Sequence, residues 1–313
     1  MWIEILGTIF SLRTVDSALR LATPIALAAL GGTFSERAGI INIGLEGMLL
    51  ASAFAGVLGS FLTGSALVGV LLAVVAGALT AAVFSFFTVE LKANHVVAGV
   101  GVNILVLGLT TWLMQVIWGS RGTSPDVTGV PGIRVAGLER VPVLGDLFGV
   151  TSPFVYVMLL LVGGAWVFLF KTPFGLRIRI TGEHPEAADT LGINVRFVKH
   201  FSVILGGALT GVGGAYLSLG HLSWFSMNMS AGRGYMALAA NIFGQWNPIG
   251  GLGASLLFSF ADAVQIRLQG VDMELPHNLI QMLPYVLTIV VLAGAVVKAR
   301  PPAALGNDYT PGT

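Results

Sequence analysis

Apolar and polar positions along this chain alternate on a long period. Apolar runs near the roughly 20 residues a helix needs to cross about 30 Å of hydrocarbon are set apart by short polar turns. The pattern predicts candidate spans at 19–34, 40–61, 65–89, 94–118, 153–170, 201–220, 234–246, 250–268 and 278–297. Two of these, 19–34 and 234–246, are short or glycine-interrupted and read as half-helices or re-entrant segments. The opening MWIEILGTIF has no basic segment, and Ile5–Phe10 is too short for a signal-peptide core, so the first membrane helix is expected to drive insertion. Residues 1–20, with Glu4, Arg13, Asp16 and Arg20, read as an interfacial segment. The fold class is all-α: one polytopic transmembrane helical bundle over 1–313 with about 8–10 spans, some discontinuous or re-entrant.

Composition narrows the class. Only 10% of the 313 residues are charged, against about 25% in soluble proteins, and the mean hydropathy is +0.86. A soluble domain could not cover its surface with so few charges. A net charge of +1 leaves no broad basic face for nucleic acid. With no cysteine there are no disulfides, thiolate metal sites or cysteine nucleophiles. His95, His184, His200, His221 and His277 are scattered without metal-ligand spacing, so neither a metal nor a cofactor is expected. The chain has no G-x-x-x-x-G-K-[ST], G-x-S-x-G or H-E-x-x-H, and nothing makes a case for an enzyme.

Lysine and arginine in the short loops set the orientation. Lys92, the group Lys171, Arg177, Arg179, Arg196 and Lys199, and the pair Lys298 and Arg300 fall on one face, which is then cytoplasmic. The 119–152 segment falls outside. It balances Arg121, Arg134 and Arg140 with Asp126, Glu139 and Asp146. This count puts the N-terminus outside; a tenth span would move it inside.

Small residues must bring the helices close, because apolar side chains gain nothing by exchanging lipid for each other. Gly207, Gly211 and Ala215 form one row, and Gly206, Thr210 and Gly214 an adjacent one. Gly56, Ser60 and Gly64 repeat the spacing, as do Gly251, Ser255 and Ser259.

Polar groups at membrane depth are costly and mark either clamps or routes. In GGTFSERAGIINIGLEGMLLASA, Glu36 and Arg37 are adjacent, and Asn42 and Glu46 are four apart, on one face if helical. Gly39, Gly44 and Gly47 loosen the backbone there. This reads as a discontinuous helix beside a translocation path, or as a clamp with Glu36 or Glu46 paired to Arg37. Asn103 and Gln115, with Trp112, lie in the fourth span; Asn241, Gln245, Trp246 and Asn247 gather at the end of the seventh. Amides and an indole suit an uncharged polar ligand with a flat ring, and equally suit hydrogen bonds between helices. The candidate route residues are Asn42, Glu46, Asn103, Asn241 and Trp246. Asp262 and Arg267 read as an external-side pair.

In the cytoplasmic segment 171–199, Pro185 can open a short helix, with Glu186 and Asp189 at its positive end. Ala187, Ala188 and Leu191 follow as a small apolar face, and Gly192 can cap it. Such a helix can dock on a peripheral partner, or be an incidental turn in a solvated loop.

Here a resemblance enters. TPFGLRIRITGEHPEAADTLGINV, followed by GGALTGVGGAYLSLG, resembles the permease subunits of bacterial ABC importers for branched-chain amino acids and simple sugars. SERAGIINIGLEGMLLASAF is similar to the nucleoside-type branch, and MALAANIFGQWNPIGGLGASLLFSFADA is a third match. The resemblance covers most of 20–297. It implies a non-enzymatic, multi-pass permease in the bacterial cell membrane, carrying a nucleoside-like substrate. Its implied partners are a second homologous permease subunit, a cytoplasmic ATPase with two nucleotide-binding domains, an external substrate-binding lipoprotein and membrane lipid. It implies that 171–199 carries the coupling helix, with Glu186, Ala187, Ala188, Leu191 and Gly192 at the ATPase contact. Simple sugars or branched-chain amino acids are the alternative cargo, and a stand-alone secondary transporter is the competing class.

Overall fold

The computed structural model describes residues 11–134, 150–269, 282, 286, 300–307 and 309. The candidate span 278–297 apart from Met282 and Val286, and His277, Lys298, Arg140, Glu139 and Asp146, fall outside this set.

Seven helices among the described residues are long and apolar enough to cross a membrane. The first, α1 (Leu12–Arg37), runs for 26 residues and starts at the Ser11 cap. It corrects two expectations: 19–34 is not a half-helix, and residues 12–20 belong to a span. Pro24 sits inside α1 without ending it, as membrane helices allow when neighbouring helices cover the freed backbone.

The next helices are α2 (Leu45–Thr63), α3 (Ala66–Ser85) and α4 (His95–Trp118). α3 runs on as one π-turn, Phe86–Glu90. Asn94 caps α4 by accepting from Val96 N–H (2.9 Å) and Val97 N–H (3.2 Å). Beyond α4, β1 (Ile133–Arg134) pairs antiparallel with β2 (Val150–Thr151).

α5 (Pro153–Lys171) follows, then α6 (Pro173–Glu183) and α7 (Pro185–Thr190). α8 (Val195–Ala215) continues as a π-turn, Tyr216–Leu222. α9 (Arg233–Phe243) and α10 (Pro248–Leu268) complete the described helices.

α8 is the central helix, and its two predicted glycine rows face different neighbours. A Cβ on Gly206 would overlap the Gly31 carbonyl of α1, and one on Gly207 would overlap Gly77 and Ala81 of α3. Hydrogen side chains are what let three helices meet at this point. Gly56 and Ser60 pack against Gly69 of α3. Gly64 departs from the expectation: at φ +68° it ends α2, and a Cβ there would meet no neighbouring helix.

The bundle has a basic end and an opposite, loop end. Arg37, Lys92, Lys171 and α6–α7 gather at the basic end, where Gly182 of α6 packs on the Arg37 carbonyl. At the loop end Ser60 donates to Thr128 O (2.7 Å), and Val130 N–H donates to Leu219 O (2.8 Å). Arg267 does not pair with Asp262; it donates to Ser17 Oγ (3.3 Å).

The seventh candidate span, 234–246, takes an unexpected form. α9 has 11 residues, about 16 Å of helix against the roughly 30 Å of hydrocarbon. The rest of the crossing is non-helical. After α8, Phe225 and Ser124 exchange backbone and hydroxyl hydrogen bonds (2.9 Å each) at the loop end. The chain then descends through 228–232, forms α9, and turns at 244–247 at the basic end.

Candidate functional site

The polar cluster singled out in the sequence is assembled where α1 stops. Residues 38–44 are not helical, so Asn42 lies in a break and shares no helical face with Glu46. Non-helical backbone at depth needs protein around it, and α9 supplies the cover. Gly234 makes the approach possible, since a Cβ there would overlap the backbone of Glu46.

Two carboxylates hold the two ends of α9. At its start, Glu46 accepts from Gly232 N–H (2.8 Å) and Gly234 N–H (2.7 Å). These belong to the first turn, whose amides lack helical partners and whose dipole favours an anion. At its end, Glu36 accepts from Asn241 Nδ2 (2.6 Å) and from Trp246 Nε1. Asn241 Oδ1 in turn accepts from Thr33 Oγ1 (2.8 Å).

Arg37 pairs with neither carboxylate, against the expected charge clamp. It donates to the carbonyls of Trp246 (2.7 Å) and Gln245 (3.1 Å). Those two residues have φ of +52° and +54°, a conformation non-glycine residues adopt only when held. The Phe170 ring lies 5.8 Å from the Arg37 guanidinium and 5.1 Å from that of Arg179. Arg37 therefore holds a strained turn and is itself set between carbonyls and an aromatic face.

Asn103 ties α4 to the same break. Its Oδ1 accepts from Gly47 N–H (2.8 Å), and its Nδ2 donates to Ile43 O and Tyr235 Oη (3.0 Å each). Asn42 donates to Ser35 Oγ (3.0 Å). Asn42, Glu46, Asn103, Asn241 and Trp246 are each at most 8% exposed, so their polar groups face the chain itself. Thr33, Ser35 and Tyr235 join the network and were not legible in the sequence. Gly232 and Gly234 flanking Arg233 were the available signal for the break.

Trp112 and Gln115 lie apart from this network. Trp112 is 60% exposed. Together with Thr111, Arg121 and Asn228 they line a groove of about 600 Å³ near the loop end of α4.

At the basic end, α7 has Pro185 in its first turn, as expected. Gly192, at φ +76°, donates to Asp189 O (2.8 Å) and ends the turn. Glu186, Ala187 and Leu191 are exposed, Leu191 at 69%. Ala188 is fully buried against its own chain, so it stands behind the exposed face and not on it.

A family model described as "Branched-chain amino acid transport system / permease component" matches residues 14–292. The chain belongs to this permease family. It is similar over nearly its whole length to three named relatives. It is 39% identical to the guanosine ABC transporter permease protein NupQ of Bacillus subtilis, covering 95% of this chain and 96% of that one. It is also 39% identical to the nucleoside ABC transporter permease protein NupC of Lactococcus lactis, over 94% and 96%. It is 34% identical to the putative glucose ABC transporter permease protein TsgC13 of Haloferax volcanii, over 96% and 98%. With seven long apolar helices among the described residues, this permease is a multi-pass membrane protein.

Proposed function

We propose that this permease is the membrane-spanning subunit of an ABC importer for a nucleoside in the bacterial cell membrane. The observation that carries the reading is the close likeness to guanosine and nucleoside ABC transporter permeases over nearly the whole chain. The exposed α7 at the basic end fits the coupling role. Glu186, Ala187 and Leu191 form the contact with a cytoplasmic ATPase that has two nucleotide-binding domains; buried Ala188 shapes it from behind, and exposed Gly192 ends the turn beside it. A second, homologous permease subunit completes the route, and an external lipoprotein delivers substrate to the loop end. Segment 119–152 faces outside, 171–199 faces the cytoplasm, and residues 1–313 form one permease domain. ATP is hydrolysed by the partner.

Asn42, Glu46, Asn103, Asn241 and Trp246 act on the route by fixing its wall. Glu46, Asn103, Asn241 and Trp246 hold the half-helix α9 in place, and Asn42 holds the break beside it through Ser35, the arrangement transporters use to keep irregular backbone at mid-membrane. The exposed groups that suit a neutral base are the Trp112 indole face and the Gln115 amide.

The test is uptake by proteoliposomes holding the permease pair with and without the ATPase. ATP-driven uptake that requires the ATPase supports the reading. Uptake by the permease alone, driven by an ion gradient, would establish a secondary transporter instead. The glucose relative makes a sugar the specific rival cargo.

A further inference from the structure

Residues 300–307 and Tyr309 lie at the basic end and approach four parts of the bundle in succession. Ala303 N–H donates to Glu183 Oε2 (3.0 Å), and Ala304 N–H donates to Gly182 O (2.9 Å), both at the end of α6. Gly306 N–H donates to Gly39 O (3.0 Å), in the break between α1 and α2. Lys199 Nζ of α8 donates to Asn307 O (3.5 Å). Tyr309 and Asp189 of α7 line one groove at this end, together with Gly192 and Ile193.

This is an ordered attachment. Pro302 and Ala304 are buried. Gly306 has φ +82°, and a Cβ there would sit 2.9 Å from Ile41 Cδ1. Facing it, Gly39 has φ +89° and lies against the Ala304 carbonyl. Two residues in the left-handed region, one on each side, are what allow the two backbones to hydrogen-bond directly.

The segment joins two places that the function must connect. One is α7, the docking helix. The other is the 38–44 break, which leads directly into Asn42, Glu46 and the clamp on α9. α6 also reaches the break, through Gly182 against Arg37 and Gly39. The chain end reaches it too, with Tyr309 lining one groove with Asp189 of α7 and Gly306 bonded to Gly39. We propose that residues 302–307, with Tyr309, are a coupling strap, a positioning element that passes movement of α7 to the α1–α2 break and so to α9. This rests on the docking role of α7 proposed above. Backbone hydrogen bonds fix the strap on α6 and the break, while Tyr309 stands across a groove from the end of α7.

The test uses the complete complex with its ATPase. One variant removes residues 301–313; a second, Gly306→Val, puts a branched side chain at φ +82° against Ile41 and detaches the strap locally. Three quantities are read from each preparation: co-purification of the ATPase, basal ATP hydrolysis and substrate transported per ATP. The strap predicts normal co-purification and basal hydrolysis within about twofold, with transport per ATP reduced about tenfold or more, equivalent to about 1.4 kcal/mol of lost coupling. If the deletion prevents assembly, Gly306→Val decides. Unchanged transport per ATP in an assembled variant overturns the strap. Leu191→Asp separates that failure from failure of the docking reading. It is expected to shed the ATPase; if it keeps both the ATPase and full coupling, α7 does not dock and the strap falls with it.

Discussion

Replacing Glu46 separates a clamp from a substrate contact. Its carboxylate is 8% exposed and accepts two hydrogen bonds from the first turn of α9, at 2.8 and 2.7 Å. Glu46→Ala leaves the buried Gly234 amide and the part-buried Gly232 amide without partners. Each such amide costs about 1–3 kcal/mol, and loss of the anion at the helix N-terminus adds about 0.3–1 kcal/mol. The expected destabilisation is roughly 3–5 kcal/mol, allowing for partial relaxation. Glu46→Gln keeps one acceptor but turns an amide donor toward the second glycine N–H, so roughly 2 kcal/mol is expected. The assay is thermal unfolding of the purified complex, with uptake measured per folded complex on the same preparation. The melting temperature should fall for Gln and fall further for Ala. A melting temperature equal to wild type in both variants, with uptake abolished, would refute the clamp and make Glu46 a group on the route.

Arg37→Met should lower the melting temperature by releasing the turn at Gln245 and Trp246; two strained residues held by one side chain predict about 2–4 kcal/mol, and an unchanged melting temperature would show that the turn holds itself. Ala188→Asp should destabilise the membrane domain itself, because the new charge points into the chain, whereas Leu191→Asp should leave the melting temperature of the isolated permease unchanged and lose the ATPase; identical behaviour of the two would contradict the two-faced α7. Cysteine placed at exposed Asp126 should react with an impermeant thiol reagent on intact cells and cysteine at exposed Thr190 should not, with the reverse pattern overturning the orientation.

Much of the fold was legible because membrane insertion is a local requirement. Apolar length alone located α2, α3, α4, α5, α8 and α10, and four-residue glycine spacing marked the faces of α8 that meet α1 and α3. Local cap chemistry also placed α7, through Pro185 and Gly192. The misses have physical causes. Residues 19–34 looked short because Arg13, Asp16 and Arg20 break the apolar run, yet the first two lie near the start of α1 and Arg20 is met by Asp16 four residues earlier (3.1 Å). α6 carries LRIRIT, whose alternating basic and β-branched residues obey neither a strand nor a spanning-helix period. The site depended on pairs far apart in sequence: Glu36 finds Asn241 and Glu46 finds Gly232. The sequence supplied the polar residues but not the pairing, and adjacency suggested a Glu36–Arg37 pair that the helix geometry does not make. In α7, Ala187 and Ala188 are chemically the same, so the neighbours decide which faces inward.

The most direct measurement of the central claim is substrate competition in proteoliposomes containing both permease subunits, the ATPase and the receptor. Labelled guanosine is the probe, with other nucleosides, pentoses, glucose and branched-chain amino acids in excess as competitors. The account predicts ATP-dependent guanosine uptake that other nucleosides suppress and that sugars and amino acids leave unchanged. ATP-dependent uptake of glucose or leucine by the same complex, with no uptake of guanosine, would contradict it.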